Sequence, residues 1–395
     1  MQIPFHKASL GDDELAEVIS TLRSGWLTTG PKTNAFETEF ARYVGAKHAV
    51  ALNSATAALH LALEAIGLRR GEAVLVPTMT FAATAEVVRY FDAEPVLVDC
   101  NPSDLNLSIE DAYVRARSAV NRGLKLKAIV PVHYGGQIVD MKGVKALARD
   151  YGLRVIEDAA HCCPAFYRDT SDAPWKQTGA ESDVACYSFY ANKCITTGEG
   201  GMACTNDDQI ADRMRVMALH GISKDAWKRF TAQGSWYYEI IAPGYKYNLT
   251  DIASSIGIHQ LRKADAFRAD RDRVATLYRS MLEDVEELEL PSCHIDRIHS
   301  WHLYVVQLKL EKLAIDRAQI MDRLKAAGVG ASVHWIPLHM HPYYRDRYGY
   351  KKDDYPIAGR VAMQNISLPI FPGMKDEEIE YVARTLRQIL ASGRR

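Results

Sequence analysis

Lys193 stands between a short apolar run ending at Ser188 and a bend made of Thr196, Thr197, Gly198, Glu199, Gly200 and Gly201. A lysine placed after a buried strand and before a Thr/Gly-rich turn is partly desolvated, less basic than usual and able to form a Schiff base with a carbonyl. Upstream, Val155 and Ile156 lead into Glu157, Asp158, Ala159, Ala160 and His161, an apolar strand that ends in carboxylates. In an α/β sheet the carboxyl ends of the strands line the ligand crevice, so Asp158 and Lys193 are expected to face one site. Each residue also has a plainer reading, as a solvated surface lysine and a helix-capping aspartate.

A third element is of the matching kind. Asn53, Ser54, Ala55, Thr56 and Ala57 open an alanine- and leucine-rich run that reaches Leu63. Backbone N–H groups and Ser/Thr hydroxyls meet at the positive end of such a helix, where a phosphate fits, although an ordinary N-cap has the same composition. An imine-forming lysine, a carboxylate and a phosphate cup together point to pyridoxal phosphate.

These residues require a scaffold. Apolar strands expected at 73–76, 96–98, 128–132, 154–156, 184–188 and 202–204 alternate with helical runs at 82–90 and 142–150, which predicts a mainly parallel sheet covered on both faces. From Asp251 the pattern becomes one long helix through Arg279, rich in i,i+4 charge pairs. A strand at 303–308 and helices at 318–327 and 375–390 then form a smaller α/β domain. The division expected is 1–260 for the large domain and 261–395 for the small one.

The ordered blocks Gly25–Pro31, Ser54–Leu63, Pro77–Thr84, Pro131–Gly136, Glu157–His161, Ser188–Met202 and Gly244–Asp251 resemble the DegT-type nucleotide-sugar aminotransferases, a branch of the fold-type I pyridoxal phosphate enzymes. The resemblance covers nearly the whole chain. It implies an α/β fold with a seven-stranded type of sheet between helices, and it makes Lys193 the lysine that holds the cofactor. Asp158 becomes the partner of the pyridine nitrogen, and His161 that of the phenolic oxygen. Phe81 and Ala160 lie against the two ring faces. Thr56, Ala57 and Ser188 bind the phosphate, joined by Asn248 from a partner subunit, so the resemblance implies a homodimer with shared sites. Thr29, Tyr190, Lys246 and His334 are substrate candidates. The implied reaction takes an amino group, usually from glutamate, through pyridoxamine phosphate to a nucleotide-linked keto-deoxysugar, 4-keto in preference to 3-keto, in polysaccharide or glycoconjugate biosynthesis.

Composition agrees with such an enzyme. In 395 residues, 48 % hydrophobic and 25 % charged content supplies one large domain and a smaller one. With 48 Lys+Arg against 49 Asp+Glu the net charge is -1, which gives no steering toward nucleic acid or an anionic membrane surface. The start, Met1 to His6, carries no charged region followed by a long apolar run, and no stretch is of membrane-spanning length. Cys100, Cys162, Cys163, Cys186, Cys194, Cys204 and Cys293 show no CxxC spacing. That set fits a reducing cytoplasm, with Cys162, Cys163 and Cys194 read as packing residues and no metal site.

The run from His334 to Tyr344 is dense in histidine and aromatics but lacks a carboxylate and helical metal-ligand spacing. Substrate contact by His334 and plain packing both remain open. The region 220–247, with Trp227, Arg229, Trp236, Tyr237 and Tyr238, could clamp a diphosphate and a base or pack a dimer interface. Among rivals, an enzyme for small amino acids would grip a carboxylate bidentately, with Arg345, Arg347 and Arg360 as candidates. A cyclitol ketone is another acceptor. A pyridoxamine-dependent dehydratase is disfavoured by Lys193, because the resemblance associates that chemistry with a histidine at this position. A non-catalytic pyridoxal-binding regulator would normally carry a DNA-binding module, and none is visible.

Overall fold

The computed structural model describes residues 1–223 and 238–395. Seven strands make the main sheet: β1 (His48–Leu52), β2 (Glu72–Pro77), β3 (Glu94–Val98), β4 (Lys125–Ile129), β5 (Arg154–Asp158), β6 (Val184–Ser188) and β7 (Gly201–Thr205). They pair in the order β1-β7-β6-β5-β4-β2-β3. The run from β3 to β6 is parallel, whereas β7 lies antiparallel to both of its neighbours. Side chains alternate between two apolar layers, as strands buried on both faces require: Ala73 and Leu75 of β2 enter one core, Val74 and Val76 the other.

Register decides where the polar residues gather. Gly201, the first residue of β7, pairs with Leu52 on one side and with Ser188 on the other. The ends of β1 and β6 therefore share one edge of the sheet. The Ala55–Ala65 helix leaves that edge directly after β1, with Ser54 as its N-cap and everything from Ala57 to Glu64 buried. Asp158, at the end of β5, pairs with Cys186 two residues before the end of β6. Cys162, Cys163 and Cys194 are buried in the core beside these strands, and desolvation raises the Cys162 and Cys163 thiols well above their ordinary range.

A second sheet, Leu288–Glu289, Tyr304–Leu308 and Asn365–Leu368, is antiparallel with the Tyr304–Leu308 strand central. It shares a core with the helices Ala264–Leu282, Arg317–Ala326 and Asp376–Ser392, and Ile3 joins that core from the start of the chain. A small ladder links Phe166–Tyr167, Lys176–Gln177 and Arg297–Ile298. No helix among the described residues is long and apolar enough to cross a membrane.

Two expectations need correction. The helix expected from Asp251 through Arg279 is two helices, Asp251–Arg262 and Ala264–Leu282, parted at Lys263. Its ammonium is held 2.8 Å from the buried carboxylate of Glu14, and Gln260 donates to the same carboxylate at 2.9 Å. The anchor lets the first helix follow the N-terminal helices while the second turns onto Asp376–Ser392. The strand expected at 128–132 begins at Lys125, because Lys125 and Lys127 alternate with Leu126 and Ala128 and disguise its start.

Behind β6, Phe40 is fully buried, its ring centroid 5.0 Å from Tyr187, 5.4 Å from Phe189 and 5.9 Å from Phe36. Phe40→Ala should lower the unfolding free energy by about 3–5 kcal/mol, measured by urea denaturation. A loss below about 1 kcal/mol would show that the cluster closes over the gap.

Candidate active site

At the shared sheet edge a cavity of about 360 Å³ opens, lined by Thr56, Phe81, Asp158, Ala160, His161, Ser188, Tyr190, Lys193 and His334 among others. Nine residues singled out in the sequence thus meet in one place. Thr80, Asn192, His302 and Trp335 line it too, and sequence reasoning passed over them.

Each polar group is held from behind. Asp158 accepts from Thr84 Oγ1 at 2.8 Å on one carboxylate oxygen and from the Ala160 N–H at 3.2 Å on the other. His161 takes the Gly135 N–H on Nδ1 at 3.2 Å, so its ring hydrogen sits on Nε2. Its ring stacks on Trp335, with centroids 5.0 Å apart, and lies 4.2 Å from His302. Desolvation takes the imidazole well below its ordinary range, and the nearby charge of Lys193 pushes the same way. His161 is therefore a neutral donor. His334 is pulled to about 4, by burial first and Lys193 second, and its Nδ1 lies 2.8 Å from Ser367 Oγ. Burial raises the Asp158 carboxyl, opposed by Thr84, Ala160, Lys193 and His133. Lys193 falls to about 8 because desolvation of its ammonium outweighs the attraction of Asp158.

The model of the DegT/DnrJ/EryC1/StrS aminotransferase family matches residues 8–387. The chain belongs to that family. An uncharacterized protein of Methanocaldococcus jannaschii, MJ1066, is 44 % identical over 392 residues, covering 99 % of this chain and 98 % of that one. The spore coat polysaccharide biosynthesis protein SpsC of Bacillus subtilis is 42 % identical over 389 residues, covering 98 % and 97 %. The putative sugar aminotransferase Spr1654 of Streptococcus pneumoniae, solved in a pyridoxal phosphate form, aligns with a TM-score of 0.88 at 28 % identity over 99 % of both chains. Its pyridoxamine phosphate form gives the same TM-score. The protein is a pyridoxal phosphate-dependent aminotransferase of the DegT/DnrJ/EryC1/StrS family.

The cavity fits that cofactor. A Cβ on Gly201 would come within 2.4 Å of the Ser54 carbonyl carbon and 2.6 Å of the Ala55 nitrogen. Only glycine lets β7 press so closely on the helix start, which sets the first-turn N–H groups beside Ser188. Ala55 and Thr56 keep their N–H groups without a partner among the described residues. Ser188 Oγ accepts from the Tyr190 N–H at 3.3 Å, which leaves its own hydrogen to donate. This donor set suits a phosphate dianion. Above it, Asp158 and the Nε2–H of His161 offer an acceptor and a donor to a pyridine ring.

Four candidates are placed differently. Ala57 is not on the cavity wall, because its N–H is taken by the Ser54 cap at 3.0 Å. Thr29 and Asn248 line another cavity, of about 500 Å³, where Asn248 Nδ2 donates to Thr29 Oγ1 at 2.7 Å and Lys246 Nζ to Asn248 Oδ1 at 2.6 Å. None of these three is on the wall of the Lys193 cavity of its own chain. Arg345, Arg347 and Arg360 are not on the Lys193 cavity. Trp227, Arg229, Trp236 and Tyr237 lie outside the described residues, and Tyr238 is exposed.

Because only the uncharged amine attacks a carbonyl, capture of pyridoxal phosphate by the cofactor-free protein should speed up about tenfold per pH unit below 8 and level off above it. Stopped-flow absorbance from pH 6 to 9.5 measures this. A profile still climbing at pH 9.5 would place the Lys193 pKa near its ordinary value.

Proposed function

We propose that this sugar aminotransferase transfers an amino group from glutamate onto a ketone of a deoxysugar linked to a nucleoside diphosphate, at C4 rather than C3, in the making of a cell-surface polysaccharide or glycoconjugate. The observation that carries the reading is the partly buried Lys193, drawn to about 8, in one cavity with Asp158 and His161. The other walls support a sugar acceptor. Tyr190, His334 and Trp335 offer a sugar stacking and uncharged hydrogen bonding. Similarity to SpsC, a polysaccharide biosynthesis protein by name, supports the destination.

When bound, pyridoxal phosphate supplies an aldehyde that exchanges amines and a ring that withdraws electrons from the reacting carbon. Lys193 would hold the cofactor, and its Nζ as the free amine would take up and return the proton that the reaction moves. A pKa near 8 suits both tasks at neutral pH. Asp158 would set a negative charge opposite the ring nitrogen, and His161 would donate from Nε2 to the ring oxygen. Phe81, 61 % exposed and free to be covered, would lie against one ring face with Ala160 on the other. Thr56, Ser188 and the unpartnered first-turn N–H groups bind the phosphate.

The test loads the enzyme with pyridoxamine phosphate and screens nucleotide-linked 3-keto and 4-keto sugars for return of the pyridoxal-form absorbance. Return with a 4-keto sugar alone is expected. Return with small keto acids and with neither sugar would replace this reading with that of an amino acid aminotransferase.

Thr29, Lys246 and Asn248 are assigned to the Lys193 cavity of a second copy, supported by their absence from the wall of that cavity in their own chain. Chains carrying Lys193→Ala, inactive alone, and chains impaired by Asn248→Ala should complement each other when mixed. Each hybrid dimer would then hold one intact site and show about half of wild-type activity. Hybrids that form but stay inactive would assign Asn248 to its own chain's site or to none.

A further inference from the structure

Asp158 is backed by a chain of hydroxyls that ends in no charge. Thr84 Oγ1 donates to Asp158 Oδ2 at 2.8 Å, and Thr80 Oγ1 lies 2.7 Å from Thr84 Oγ1. A hydroxyl has one hydrogen, and Thr84 gives its own to the carboxylate, so Thr80 is the donor to Thr84. Both threonines are buried. We propose that Thr84 is the positioning residue that fixes the Asp158 carboxylate for the ring nitrogen of the cofactor, with Thr80 setting the direction of its hydroxyl. The proposal rests on the assignment of Asp158 as partner of that nitrogen.

The geometry around Asp158 supports this. The Ala160 N–H holds Oδ1 at 3.2 Å while Thr84 holds Oδ2, so rotation about Cβ–Cγ would break both bonds. The backbone is fixed as well: the Asp158 N–H donates to the Pro131 carbonyl at 2.9 Å, and the Asp158 carbonyl accepts from the His133 N–H at 3.2 Å. What remains free is the lone-pair side that faces the cavity. The ionisable groups around the carboxylate are Lys193, His133 and the thiol of Cys186. Burial raises the carboxyl, and the Thr84 hydroxyl leads the contributions against it. Without that bond the carboxylate binds a proton more tightly and competes with the ring nitrogen for it. Thr84 belongs to the Ala83–Arg89 helix, which packs on β2 and β3, so valine fills the same space without the hydroxyl.

The test compares affinities of the cofactor-free protein for pyridoxal 5'-phosphate and for its 1-deaza analogue, which carries CH in place of the ring nitrogen. Thr84→Val should cut the preference for pyridoxal phosphate by about tenfold, as befits loss of a hydrogen bond to a charged group, with little change in affinity for the analogue. Thr84→Ser should restore the preference. Equal weakening of both ligands would reveal a merely structural role, and an unchanged preference in folded Thr84→Val would overturn the proposal equally. Should the valine variant not fold, Thr84→Ala replaces it in the same pair of affinity measurements, and either of those two results would again overturn the proposal. A wild-type protein with no preference between the ligands would instead overturn the Asp158 assignment itself, an outcome separable from the others.

Discussion

An ammonium that is expensive to bury and a carboxylate that is equally expensive to bury face one cavity, and the rest of the site follows from keeping both there. Desolvation drives each toward its neutral form, while their mutual attraction restores the charged one. The balance leaves Lys193 easily deprotonated at neutral pH. It also makes the neighbouring histidines neutral, because His161, His302 and His334 are buried and lie in the field of the same lysine. Positive charge is thereby reserved for one side chain, and the imidazoles serve as donors and stacking surfaces.

Holding two such groups requires a rigid edge. The parallel strands end together, and the pairing of Gly201 with both Leu52 and Ser188 draws the Ser54-capped helix to that edge. The placement of the Ser54 helix start at the cavity is thus a property of sheet register as much as of side chains. Aromatic stacking of Trp335 on His161 brings in a segment from the second half of the chain, whose His334 carbonyl accepts from Asn365 Nδ2 at 2.7 Å.

How much of this was legible in the sequence depended on distance along the chain. Lys193, Asp158, Ser188 and Thr56 each sit at a strand or helix end, where composition changes over a few residues, and all four reach the cavity. Thr84 could have been noticed, since Thr80 and Thr84 stand four apart ahead of a helix, but nothing local connects them to Asp158. His302 gave no signal, and Trp335 stood out only as part of the His334 to Tyr344 run, because their role arises from packing between distant segments. Ala57 lies off the cavity wall, and the hydroxyl of Ser54 takes its N–H, a pairing that composition alone does not reveal. The break at Lys263 was hidden by i,i+4 charge pairing that continues across it, since Glu14, the residue that secures the junction, lies at the other end of the sequence. Strand β1 escaped because its short apolar run flows directly into the Ser54 helix block.

The antiparallel direction of β7 also bears on the order in which the site is built. Lys193 lies on the loop between β6 and β7, adjacent strands of a simple hairpin, in a sheet whose other neighbours are mostly reached by long crossovers. Closing that hairpin spans few residues and costs little chain entropy, whereas the contact of Asp158 with Thr84 spans 74 positions and costs more to close. The position of Lys193 is a local feature of the chain, and the setting of Asp158, which faces the same cavity, is a global one. A hairpin standing alone would leave Lys193 exposed and of ordinary basicity, so the low basicity of this lysine is supplied by the burial that the rest of the fold provides.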